Sequence, residues 1–205
     1  MSNSKALIEF ITSTYYLPDT MLLKEIVMSG VKIILVCMFV IFSNSASADV
    51  MGRYLKNSKY VSYYAGWIHN KHKNINYSKA LDISEEIIIQ SSNLDIRPNI
   101  LLALIDTESS FRTTAVSDKG AIGLTQVIPK YHKDLMHGRK LVSYRDAIFV
   151  GANVLKQYIV VHNGNIRRAL KDYYGSRREN GDEYASKVLK LAYAVRTTTR
   201  YIDGG

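Results

Sequence analysis

Apolar side chains recur at helical spacing along most of the chain after residue 77. This pattern predicts helices over residues 78–92, 98–111, 144–162, 165–174 and 182–196. Pro98 suits the first turn of the second helix, because the N–H group that proline lacks would have no partner there, and Pro129 can open a further short helix. Residues 49–76 are polar and rich in tyrosine. We predict no helix there and interpret them as an N-terminal segment, the lead-in, that precedes the main domain. Residues 197–205 are predicted to form a flexible tail.

Residues 112–127 interrupt the helical pattern. Gly120 and Gly123 lie close together there, among short polar side chains such as Thr113, Thr114 and Ser117. Such a composition is typical of a loop or a short hairpin. The predicted fold class is therefore mainly α, of the α+β kind, with a small loop or β-hairpin insert after the helix over residues 98–111.

An apolar run near the start of the chain has the layout of an export signal. Residues 31–42 are apolar apart from Lys32, and the small residues that follow include Ala46 and Ala48, which fit the Ala-x-Ala pattern of a cleavage site. The run is shorter than the roughly 20 residues that cross a bilayer comfortably. We predict a signal peptide or a membrane anchor over residues 28–48, with a buried core helix as the alternative. Residues 1–27 would then be an extension that is not translated or not retained.

This layout predicts an exported protein of the periplasm or cell envelope, associated with the membrane if residues 31–42 are retained as an anchor. Sequencing the N-terminus of the exported form would test that prediction. Cys37 is the only cysteine, so no intramolecular disulfide can form.

The formal net charge of +9 lies entirely in residues 49–205, which hold 24 Lys or Arg and 15 Asp or Glu. Such a basic domain attracts polyanions, and nucleic acid, anionic lipid and the carboxylate-rich bacterial wall all qualify. His69 and His72 have a spacing seen in metal sites, but no third ligand is evident in the sequence. We interpret them as a polar surface pair and predict neither a metal nor a cofactor.

Glu108 is the one carboxylate that continues an apolar stripe on the predicted helix over residues 98–111. Leu101, Leu104 and Ile105 share its face, because offsets of three, four and seven residues align on a helix. Partial burial would raise the pKa of the carboxyl group, and the negative end of the helix dipole would act in the same direction. A carboxylic acid that is protonated near neutral pH is what a glycosidic oxygen needs from a general acid. By itself, a glutamate near a helix end is more often a solvated surface residue.

The residues that follow Glu108 match a family motif. The sequence reads ESSF over residues 108–111, then Ala115 and Ser117, then GAIGLTQVIP over residues 120–129. This block resembles the soluble lytic transglycosylase family (family 1, SLT domain), whose catalytic domain has a goose-lysozyme-like fold, and the resemblance covers about residues 80–190. It implies a catalytic domain over residues 77–196, an acid/base role for Glu108, and a glycan groove lined by Ser117 and Gln126.

Two later blocks resemble the same family. Ala169-Leu170 followed by Tyr173 is similar to a block that usually continues Tyr-Asn, and here Tyr174 stands in place of the asparagine. That change alters one hydrogen bond to the substrate, although a phenol can still donate. Tyr184 resembles the tyrosine of the family's last helix, which reaches the catalytic region. The resemblance therefore implies substrate-binding roles for Tyr173, Tyr174 and Tyr184 as well.

The resemblance implies cleavage of the β-1,4 bond between N-acetylmuramic acid and N-acetylglucosamine in peptidoglycan, with formation of 1,6-anhydromuramic ends and no metal or cofactor. A lysozyme-type hydrolase is the alternative, and it would need a second carboxylate. Asp106 points away from Glu108 on a helix, which leaves Asp118 in the loop as the candidate.

Two further interpretations concern partners. The protein could be a gap-making accessory of secretion, conjugation or phage machinery, which its size and its export signal would suit. It could also be a basic nucleic-acid binder, but the sequence contains no recognisable reading motif. We therefore predict peptidoglycan strands as the partner and no nucleic acid.

Overall fold

The computed structural model describes residues 58–175 and 179–199, and these residues are mainly helical. The elements are α1 at residues 58–71, α2 at Tyr77–Leu94, α3 at Pro98–Ser109, a 3-10 helix at Pro129–Tyr131, α4 at Lys133–Met136, α5 at Tyr144–Val161, α6 at Ile166–Gly175 and α7 at Gly181–Thr199. Between α3 and the 3-10 helix lies a small insert with two isolated β-bridges, Val116 with Ile122 and Ile122 with Val127. The predicted fold class, a helical domain with a small insert after α3, is confirmed.

The sequence pattern does not predict α1 or α4. In α1, residues at three- and four-residue spacing form an inward face, and Tyr64, Ala65 and Ile68 are buried in the core. Tyrosine rings supply part of that face, so a segment that looks polar by composition still packs inward. Helix α4 has only four residues, which is too short to show a helical period.

Helix α3 runs through the middle of the core. Every residue from Ile100 to Asp106 is buried, as expected of a helix that is enclosed on all sides. It packs against α2 and α7. A second, smaller apolar cluster of Val127, Leu141, Val150 and Val154 joins the insert to α5. The last turn of α3 therefore follows directly from a helical segment that is buried in the core.

The chain leaves α3 through a left-handed turn. Ser110 and Phe111 have φ values of 51° and 61°, a conformation that is uncommon for a bulky side chain. The Phe111 ring is fully buried, and Ser109 Oγ donates a hydrogen bond of 2.8 Å to the backbone oxygen of Leu124. These contacts hold the insert against the end of α3.

Several predictions fall outside the described residues. They concern the extension over residues 1–27, the apolar run over residues 31–42, and residues 200–205 of the predicted tail; α7 continues through residues 197–199. In the two ranges that the structure covers, no helix has both the length and the apolarity that crossing a membrane requires. The export signal and the domain limits, a lead-in over residues 49–76 and a catalytic domain over residues 77–196, stay predictions.

Candidate active site

Glu108 lies in the last turn of α3 and faces a cleft of about 520 Å³. Its side chain is half-buried. The cleft is formed by the end of α3, the insert, α5 and α6, and the side chains most relevant to its chemistry are Ser117, Gln126, Tyr158, Asp172, Tyr173 and Tyr174. The structure therefore brings Glu108 together with four of the five residues predicted to bind substrate.

Tyr184, the fifth predicted residue, lies behind Glu108. It is only 8% exposed, and its hydroxyl donates a short hydrogen bond to Glu108 Oε1. Burial raises the pKa of Tyr184 well above its ordinary value, and the charge of Glu108 and this hydrogen bond raise it further. The phenol therefore stays protonated and remains a donor to the carboxylate. Because the Tyr184 hydroxyl donates its hydrogen bond to Glu108, a direct contact between Tyr184 and the substrate stays a prediction.

The ring of Tyr184 is held in place by Tyr174. The two rings stack with centroids 4.7 Å apart and planes 18° from parallel, a separation at which aromatic pairs attract. Tyr174 also lines the cleft. The tyrosine that replaces the family's asparagine therefore supports the ring that contacts Glu108.

Tyr173 connects α6 to the insert. Its hydroxyl donates a 2.8 Å hydrogen bond to the backbone oxygen of Thr125, and Thr125 Oγ1 donates a 2.8 Å bond to the backbone oxygen of Ala147 on α5. Burial raises the pKa of Tyr173 well above its ordinary value, and the charge of Glu108 adds to the effect. Tyr173 is therefore a neutral wall of the cleft close to Glu108.

The two polar side chains from the insert have most of their hydrogen-bonding groups in use. Gln126 Nε2 donates to the backbone oxygens of Ala115 and Gly123 at 3.2 and 3.0 Å, which leaves its carbonyl oxygen as the group for a ligand. Ser117 Oγ accepts a 3.0 Å bond from the backbone N–H of Ala121, which leaves its hydroxyl proton to donate. The insert therefore offers a ligand one acceptor and one donor.

Tyr158 and Asp172 also line the cleft, although the sequence pattern does not predict a site role for either of them. No motif marks either residue, because each follows from the packing of α5 against α6. His132 lies at the cleft as well, and burial lowers its pKa, opposed by the nearby Asp134. Asp118 is exposed on the turn of the insert and reaches the cleft from there.

Asp106 faces away from the cleft, as predicted. It is buried, it forms an ion pair with Lys71, and its Oδ1 lies 2.8 Å from His72 Nε2. The side chain of His72 is only 14% exposed, so its interpretation as part of a polar surface pair is wrong. His69 Nδ1 lies 2.7 Å from the backbone oxygen of Ile75. In the described residues, no group of three His, Cys, Asp or Glu side chains is arranged to hold a metal ion.

Comparisons with known proteins place this geometry in context. The profile of a family described as "Transglycosylase SLT domain" matches residues 85–187. No curated protein matches the chain significantly. A crystal structure of the lytic transglycosylase Slt from Pseudomonas aeruginosa, in an inactive Glu-to-Gln mutant form, aligns at a TM-score of 0.52 and 19% identity. The alignment covers 56% of this chain and 24% of that one, so this chain matches about a quarter of that protein, and at this identity the likeness shows a shared fold alone.

Proposed function

The chain belongs to the Transglycosylase SLT domain family, whose profile matches half of it, and from this premise we propose that it cleaves the glycan strands of peptidoglycan with Glu108 as acid and base. The observation that carries the proposal is the placement of Glu108, half-buried in a cleft and bonded by the buried phenol of Tyr184. Ser117, Gln126, Tyr173 and Tyr174 are the proposed substrate-binding residues, because all four line the same cleft.

The proposed reaction needs one carboxyl group that works twice. Protonated Glu108 gives its proton to the bridging oxygen as the bond between that oxygen and C1 of N-acetylmuramic acid breaks. The Glu108 carboxylate then takes the proton of the muramyl 6-hydroxyl. At the same time, the oxygen of that hydroxyl bonds to C1 and closes the 1,6-anhydro ring. Tyr184 donates to Glu108 and so stabilises the carboxylate between the two steps. The overall reaction is that of a lyase and consumes no water.

A lysozyme-type hydrolase is the second candidate, because two more carboxylates line the cleft. Asp118 is exposed, and Asp172 is paired with His162 at 2.7 Å. Either could serve as the base or nucleophile that glycoside hydrolysis normally requires. Their presence keeps hydrolysis open as a chemical route in this cleft.

The released ends distinguish the two reactions. We expect mass spectrometry of digested sacculi to show muropeptides with 1,6-anhydro ends, because the proposed mechanism passes the proton through Glu108 and uses no water. Products formed in water enriched in ¹⁸O would carry no label. Reducing ends that incorporate the label would contradict the lyase mechanism and assign the chain to the hydrolases.

Replacing Tyr184 by phenylalanine should lower kcat by about tenfold, because one hydrogen bond to a charged group is lost from Glu108. The stacked ring and most of the buried volume remain. The matched control is Tyr193→Phe on the same helix, where the ring is exposed and away from the cleft. Steady-state kinetics on soluble glycan strands measures both, and equal rates for Tyr184→Phe and the wild-type chain would contradict the role given to this phenol.

We also propose that the enzyme acts outside the cytoplasm, either alone or for secretion, conjugation or phage machinery. The support is the signal-like layout of residues 28–48 and the net charge of +9, which suits an anionic wall.

A further inference from the structure

A second polar pair lies in the wall of the cleft, on α6 and at the end of α5. Asp172 Oδ2 and His162 Nε2 are 2.7 Å apart, and their side chains are 27% and 22% exposed. Asp172 lines the cleft together with Glu108. A carboxylate that is partly removed from water needs hydrogen-bond donors, and within the described residues His162 is the only one that it has. Its other oxygen accepts no hydrogen bond from the described residues and is left for a ligand.

The phenol of Tyr158 stands beside this carboxylate. Tyr158 lies on α5 and lines the cleft. Burial raises the pKa of Tyr158, and the charge of Asp172 raises it further, so the hydroxyl keeps its proton. No group in the described part of the chain accepts that proton. The cleft is therefore lined by both a hydrogen-bond donor, Tyr158, and a hydrogen-bond acceptor, Asp172.

The turn between α5 and α6 fixes this pair. The backbone N–H of His162 caps α5 by bonding to the oxygen of Tyr158 at 3.0 Å. Asn163 and Gly164 then have φ values of 51° and 84° and reverse the chain. The reversal brings the start of α6 back along α5, and His162 meets Asp172 ten residues later. His162 thus orients the carboxylate without being part of the cleft lining.

We infer that Asp172 and Tyr158 form an amide-recognition subsite in the cleft, with His162 as the residue that positions Asp172. The N–H and C=O groups of a trans amide point in opposite directions. An amide that lies between the two side chains can therefore donate its N–H to the Asp172 carboxylate and accept at its C=O from the Tyr158 hydroxyl. Peptidoglycan carries amides both in the acetamido groups of its sugars and in its stem peptides. This inference rests on the proposed function for its substrate, and it makes Asp172 a specificity-determining residue, whereas Glu108 remains the catalytic one.

Binding can be measured separately from cleavage in the Glu108→Gln chain. The ligands are purified glycan strands with their stem peptides, and the same strands after an amidase has removed the peptides. We expect Asp172→Ala and Tyr158→Phe each to weaken binding about tenfold, which is the loss of one hydrogen bond to a charged or buried partner. In the active chain the same variants should raise KM by a larger factor than that by which they lower kcat.

The matched control is Asp182→Asn. Asp182 also forms a 2.8 Å ion pair, with Lys171, but its side chain is 68% exposed and outside the cleft. Its loss should leave binding unchanged. His162→Ala should weaken binding of the same ligand that Asp172→Ala binds more weakly. His162→Gln keeps a hydrogen-bond donor for Asp172 and should restore part of the lost affinity. Asp172→Asn, nearly identical in shape, replaces Asp172→Ala if that chain does not fold.

The two ligands distinguish the sources of the amide. Weaker binding of both strands to the Asp172 variant identifies a sugar acetamido group, and weaker binding of the peptide-bearing strands alone identifies a stem-peptide amide. Unchanged affinity for both ligands overturns the subsite, even if Glu108→Gln abolishes cleavage as proposed. If the wild-type chain cleaves nothing but the Asp172→Ala and Tyr158→Phe variants bind the strands more weakly, the subsite is supported and the proposed function is overturned. A wild-type chain that binds neither ligand overturns both.

Discussion

Replacing Glu108 by glutamine should lower kcat by about a thousandfold or more and leave the fold intact. General acid–base catalysis by one positioned group contributes roughly 10²- to 10⁴-fold, and here the same carboxyl group serves both proton transfers. Glutamine has almost the same shape and can still accept a hydrogen bond from Tyr184, so the half-buried site stays filled. The amide cannot give up or take a proton at neutral pH.

Two measurements test this expectation. Release of soluble muropeptides from sacculi gives the rate, and thermal unfolding shows that the variant is folded. Glu183→Gln on α7 is the matched control, because the same chemical change is made at an exposed residue. Cleavage by Glu108→Gln at more than about a tenth of the wild-type rate would remove Glu108 from the mechanism and direct attention to Asp118 and Asp172.

Replacing Gly123 by alanine should lower the free energy of unfolding by about 2–5 kcal/mol, the sum of two costs. Gly123 has a φ of 75°, and an L side chain in that conformation costs about 1–2 kcal/mol. A β-carbon there would also lie 1.9 Å from the backbone oxygen of Leu141, and relieving such overpacking typically costs about 1–3 kcal/mol more. The obstacle is backbone, which cannot turn aside as a side chain can.

Gly120 in the same insert supplies the control. Its φ is 80°, and nothing lies within 4 Å of the position that a β-carbon would take. Gly120→Ala should therefore show the conformational cost of about 1–2 kcal/mol alone. Urea unfolding of both variants isolates the steric part as their difference. Equal destabilisation would mean that the insert yields at Leu141 and is softer than its contacts indicate.

The local features of this protein are those that its sequence could predict. Periodic apolar residues predict α2, α3, α5, α6 and α7, because burial of one helical face imposes a repeat on the sequence. The side of α3 that carries Glu108 follows from the same repeat, and so does the direction of Asp106, which faces away from the cleft and is buried against α1. The insert was predictable from Gly120 and Gly123, and the structure shows that both have positive φ.

The contacts that complete the cleft could not be read in this way. Tyr184 bonds to Glu108 across 76 positions of the chain, and Tyr173 bonds to Thr125 across 48. No local rule connects such distant residues, since the packing of α7 and α6 against α3 and the insert brings them together. For the same reason the pairing of Asp172 with His162 depends on the turn between two helices and leaves no periodic signature.

Thr125 has a mechanical consequence for the cleft. Its backbone oxygen accepts from Tyr173, its hydroxyl donates to Ala147, and its side chain lies so close to Gly151 that a methyl group added there would meet it at 2.4 Å. Lifting the insert would break both bonds at once and expose a side chain that is fully buried. These contacts oppose any parting of the walls of the cleft. If the cleft binds glycan strands as proposed, we expect adjustment on binding to fall mainly on the sugar polymer.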